Sequence, residues 1–148
     1  MKSALLAFVT ALLLAGCGAS RAELPTLTES QAYDRVEAYL QRAATALPAQ
    51  ARLEAAAPPS SVACKGDTKG RVIVVSTYFV RGVAVEDRYF DDLLRWWEAH
   101  DFTLLDDLRP GRNYMWVENS TDGFRMSLRD NEHGELLLGA ESPCLTAE

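Results

Sequence analysis

The chain has 148 residues, 48% of them hydrophobic and 24% charged, and a formal net charge of −6. Length and balance fit one globular domain. The acidic excess argues against nucleic acid and against docking on anionic lipid headgroups, both of which need Lys/Arg patches; the nearest candidate, Arg109 with Arg112, supplies only two charges.

Met1-Lys2 is a short positive start, and Ser3 to Ala15 is almost wholly apolar. That run fits the ~7–15-residue apolar core of a secretory signal and falls short of the ~18–20 residues a membrane span needs. Leu14-Ala15-Gly16-Cys17 follows. The segment resembles the lipobox leader of bacterial lipoproteins: a positive start, an apolar run, then Leu, two small residues and the cysteine that takes a diacylglyceryl group. The resemblance covers residues 1–17. It implies that residues 1–16 are a signal peptide that is removed, that Cys17 carries acyl chains such as palmitate, and that the domain sits on the extracytoplasmic side of the cell membrane. Gly18 is not the Asp of inner-membrane retention, so a Gram-negative cell would send the protein to its outer membrane. Two or more acyl chains hold a protein durably, at ~0.8 kcal/mol per buried methylene. Twelve Arg against three Lys, and Ile73 as the single isoleucine, read as a high-GC genome. In that respect the chain is similar to small lipoproteins of actinobacterial-type bacteria. Without Lys2 the chain carries 14 basic and 21 acidic side chains, or −7.

With Cys17 lipidated, Cys64 and Cys144 remain, and an exported protein favours a bridge between them. Two cysteines with the distant His100 and His133 lack metal-ligand spacing, so neither metal nor cofactor is expected.

Residues 17–27 read as the lipidated N-terminus and a tether, and residues 28–148 as one domain. Thr28-Glu29-Ser30-Gln31 matches a capping box. Tyr33, Val36, Leu40, Ala43 and Leu47 then recur at helical spacing until Pro48, which predicts a helix over 29–47. Residues 49–70, with Pro58-Pro59 and the two lysine-glycine turns Lys65-Gly66 and Lys69-Gly70, read as a long connector. Residues 71–80 are dense in β-branched and aromatic residues and predict a central strand ended by Gly82. Residues 86–100 predict a second helix, with Phe90, Leu93, Leu94 and Trp97 on one face. The period then changes to two. Strands are expected over 102–106, 113–119, 124–129 and 135–140, separated by Pro-Gly, Asp-Gly and Asn/Gly turns. The order α-β-α-β-β-β-β predicts an α+β two-layer sandwich: an antiparallel sheet of about five strands with two helices on one face.

His100-Asp101 could serve as an acid/base pair, but at a helix end a dipole-compensating cation is the commoner role. The acid pairs Glu86-Asp87, Asp91-Asp92 and Asp106-Asp107 could act in glycoside cleavage, and otherwise are solvated faces. His133 falls in a polar turn. No Ser lies in a nucleophile-elbow motif, and no catalytic residue is assigned. Tyr89 and Trp96, off the main stripe of the second helix, are the candidate contact surface for a partner, a glycan or a lipid headgroup. Arg125 and Arg129 share the outer face of their strand and could meet an anionic ligand. The reading that follows is a lipid-anchored envelope module that binds a protein, glycan or lipid without catalysis. The alternatives are an envelope hydrolase using carboxylates and a carrier of a hydrophobic molecule between sheet and helices.

Overall fold

A computed structural model describes residues 26–145; the leader, Cys17 and residues 18–25 of the tether lie outside them. The elements are α1 (Glu29–Ala44), β1 (Arg52–Ala55), β2 (Ser60–Ala63), β3 (Val72–Arg81), α2 (Asp87–Glu98), β4 (Phe102–Asp107), β5 (Tyr114–Asn119), β6 (Arg125–Asp130) and β7 (Leu136–Glu141).

The capping box forms as the sequence predicts: Gln31 N–H donates to Thr28 Oγ1 at 3.1 Å, and Thr28 N–H donates to Gln31 Oε1 at 3.0 Å. Helix α1 stops three residues earlier than expected. The Thr45 hydroxyl bonds back to Arg42 O, and Pro48 cannot extend the ladder. The buried stripe is Ala32, Val36, Leu40 and Ala43, and Tyr33 is turned out to solvent.

All strand pairings are antiparallel, in the order β1-β3-β7-β6-β5-β4, with β2 also on β3. Strands β4 to β7 form the predicted meander, and β7 then pairs with β3. The fold is α+β with an open antiparallel sheet. Its seven strands correct the expected five, because residues 49–70 are not a structureless connector. β1 lies against Tyr78–Arg81 and β2 against Val72–Val75, so together they track the whole free edge of β3. Pro58-Pro59 has no N–H to donate, and the track breaks there. Almost every residue of the two strands is exposed, so neither shows an apolar alternation.

One side of the sheet carries the core. Val74 and Val80, Leu136 and Leu138, Met126 and Leu128, and Met115 and Val117 are buried there with the α1 stripe and with Phe90, Leu93 and Trp97 of α2. Trp97 is fully buried and donates its indole N–H to Met126 Sδ at 3.2 Å. Glu37 of α1 accepts from Ser76 Oγ and Tyr78 OH, both at 2.7 Å. In the β5–β6 turn, Asp122, only 4% exposed, accepts from Arg35 Nη1 and Tyr39 OH at 2.8 Å each. Polar groups taken into the interior are thus partnered, as burial requires. Cys64 and Cys144 stand at bonding distance with their Cα atoms 6.0 Å apart, 80 residues apart in sequence. They join the start of the β2–β3 loop to the tail, where Leu145 pairs with Val72.

Candidate functional site

Side chains alternate along a strand, so the pairing register fixes which residues share the outer face. Three rows cross it. Phe79, Leu137, Arg129 and Tyr114 form one; Thr77, Gly139, Ser127 and Trp116 the next; Val75, Glu141, Arg125 and Glu118 the third.

The middle row is built of small residues. A Cβ on Gly139 would lie 3.1 Å from Ser127 Oγ and 3.5 Å from Thr77 Oγ1. Glycine therefore lets two hydroxyls close over the strand and leaves a hollow of about 190 Å³, walled by Tyr114 and Trp116. A wider depression of about 700 Å³ shares Tyr114, Trp116, Arg125 and Glu141 and runs on to Cys64 and Cys144.

Charge organises the rim. Arg125 Nε bonds Glu118 Oε2 at 2.6 Å, while Glu141 stands 3.7 Å from the same guanidinium. That guanidinium also lies 5.1 Å from the centroid of Trp116, a cation–π arrangement. Burial pushes the Glu141 carboxyl up from its ordinary range, against the opposing pull of Arg125. Burial, then the charge of Glu141, raises the Tyr114 phenol; Arg129 and Arg112 act in the opposite direction. Arg129 is exposed, and among the described residues it has no ion-paired or hydrogen-bonded side-chain partner.

Of the two residues expected to form a contact surface, Tyr89 does not reach solvent. Tyr89 is 3% exposed and belongs to the core. Its ring lies under Arg88 and its hydroxyl between Arg88 and Glu86. It is buried because α2 presents two adjacent positions, 89 and 90, to the interior. Trp96 is half-buried: His100 stacks on it at 3.9 Å between ring centroids, and the Arg42 guanidinium lies 5.9 Å from its ring. His100 bonds Trp96 O through Nδ1, at the helix C-terminus. His133 is exposed beside Glu132. Each acid pair has at least one carboxylate on an arginine: Asp91 and Asp107 with Arg109, Glu86 with Arg88, and Asp92 with Arg95. Arg109 therefore neutralises local carboxylates rather than building a basic patch with Arg112. Cys17 lies outside the described residues, and Cys64 and Cys144 come together as expected.

Arg125 and Arg129 share the outer face, as their spacing predicts, and Tyr114 and Trp116 join them there. Thr77, Gly139 and Glu141 were not singled out from the sequence. The available signal was Gly139, an isolated glycine inside an apolar strand, which often marks close backbone approach or a ligand. No protein-family model, no curated protein and no solved structure matches the chain.

Proposed function

We propose that this chain is a lipid-anchored envelope lipoprotein that binds its ligand on the open face of the sheet. The architecture behind the proposal is a two-layer sandwich, with α1 and α2 on the side of Met126 and Leu138. The observation that carries the binding role is the hollow over Gly139 with its Tyr114, Trp116 and arginine rim. Sites of this kind combine a concave surface, aromatic walls and a few convergent polar groups. The carrier alternative draws no support from the interior, where Trp97, Phe90, Phe124 and Leu138 are all fully buried in one cluster. The hydrolase alternative draws none from the acid pairs, in each of which at least one carboxylate is tied to an arginine. The anchor rests on Leu14-Ala15-Gly16-Cys17.

Two measurements test the two halves. Cells fed an alkyne-palmitate should label the wild-type protein and not Cys17→Ser, which should leave the membrane fraction. An unlabelled wild-type protein removes the anchor from the proposal. Separately, a panel of amino acids, sugars, nucleotides and short acyl chains should shift the backbone resonances of Ser127 and Gly139 for at least one member. Shifts confined to other parts of the domain would overturn the open-face assignment.

A further inference from the structure

Resting on the open-face assignment, we propose that the hollow takes a short zwitterionic ligand of dipeptide size. Arg129 holds its carboxylate and Glu141 its ammonium group.

The charge layout points to this class. The row of Glu141, Arg125 and Glu118 nets one negative charge. Arg125 makes its close bond to Glu118, at 2.6 Å against 3.7 Å for Glu141, so Glu141 is left incompletely neutralised. On the strands that line the hollow, β3, β5, β6 and β7, the row of Arg129 and Tyr114 nets one positive charge and the row between carries none; Asp106 lies beyond Trp116 on β4 and Glu54 beyond Phe79 on β1, outside the lining. A surface dipole thus spans the hollow, and it favours a ligand with both charges over a polyanion or a hydrocarbon. Charge-assisted hydrogen bonds are about twice as strong as neutral ones.

The dimensions agree. Positions 137 and 141 of β7 are about 13 Å apart at the backbone. Side chains of Arg and Glu length narrow that gap, and two extended residues span about 7 Å. Tyr114 OH, across the strand pair from Arg129, adds a donor for a carboxylate. The hydroxyls of Thr77 and Ser127 beside Gly139 can donate to or accept from a peptide group. Gly139 makes the approach possible, because any side chain there would meet those hydroxyls.

The test uses the purified full-length chain and four probes: alanyl-alanine, its N-acetyl form, its C-terminal amide and the doubly capped compound. Each is titrated while the Ser127 and Gly139 amides and the Trp116 indole are followed by NMR. The free dipeptide should bind about tenfold more tightly than either singly capped form, a difference of ~1.4 kcal/mol. Arg129→Gln should erase the preference for the free carboxylate, and Glu141→Gln the preference for the free amine. Arg129 is exposed and Glu141 half-buried, and circular dichroism confirms that the variants fold. Equal binding of the doubly capped compound, or no shift with the dipeptide, overturns the zwitterion assignment. If a sugar or nucleotide then moves the same resonances, the open-face reading survives without it. An open face silent to every probe sinks both.

Discussion

The two sides of one sheet solve the same burial problem in different ways. On the inner side, β3, β5, β6 and β7 offer Val, Met and Leu, which are buried in one cluster with side chains of α1 and α2, Trp97 among them at full burial. On the outer side the same strands offer Phe79 and Trp116, and arginine side chains lie over those rings: Arg81 at 4.1 Å from the Phe79 centroid and Arg125 at 5.1 Å from that of Trp116. Each arginine is then balanced by carboxylates, Arg81 by Glu54 and Glu135 and Arg125 by Glu118 and Glu141. Apolar packing yields stability through excluded water. Arginine over aromatic yields little stability in water but leaves charges and hydroxyls accessible. The inner side holds the fold, and the outer side keeps charged and hydroxyl groups within reach of solvent.

The sharpest way to break this contrast is to truncate one tryptophan on each side. Trp97→Ala should cost roughly 3–5 kcal/mol in urea unfolding, the range for a large aromatic removed from a core. Trp116→Ala should cost about 1 kcal/mol, because its ring is only half-buried. Equal losses would mean that the outer side carries as much of the fold as the inner one.

Polar links on the inner side should rank next. Asp122→Ala leaves Tyr39 OH and Arg35 without their shared acceptor. Arg35 is about half exposed and can turn to water, so the expected loss is about 2 kcal/mol, below that of a fully buried pair. A thermal melt of the single variant decides it.

The tyrosines sharpen the comparison through pH. Burial and the Asp122 carboxylate push the Tyr39 phenol up to about 12, and the Glu37 acceptor with burial does the same for Tyr78. The unfolded phenol titrates near ~10. The folded chain therefore keeps protons that the unfolded chain releases. Their contribution is complete below pH ~10 and is lost as pH rises toward 12. Tyr39→Phe and Tyr78→Phe should each flatten the alkaline fall in stability, measured as denaturant midpoint against pH. A fall of unchanged steepness in the double variant would assign it to other groups.

Arg125→Gln should have the smallest effect, within about 0.5 kcal/mol. Its bond to Glu118 joins two half-exposed groups, and such pairs contribute little. A loss above 2 kcal/mol would make this arginine a structural strut.

Much of the fold was legible because its signals are local. Thr28 and Gln31 specify the start of α1 through neighbouring hydrogen-bond groups. The 3.6-residue and two-residue periods of Phe90–Trp97 and Phe124–Leu128 report which side of an element meets the interior. Residues 52–55 and 60–63 escaped because they become strands through the free edge of β3, not through any pattern of their own. Tyr89 escaped for a related reason: the width of the buried stripe on α2 depends on what packs beside it.

The sequence alone determines the cap of α1, the strand alternation, the lipobox resemblance and the cysteines left to pair, since each depends on residues adjacent along the chain or on their number. Only the tertiary structure decides that Thr77, Gly139, Ser127 and Trp116 stand in one row, with Glu141 on one side of it and Arg129 on the other. Those residues come from four strands spread over 65 positions of sequence, 77 to 141, and a hollow exists only once hydrogen bonding across the sheet has set the register between them.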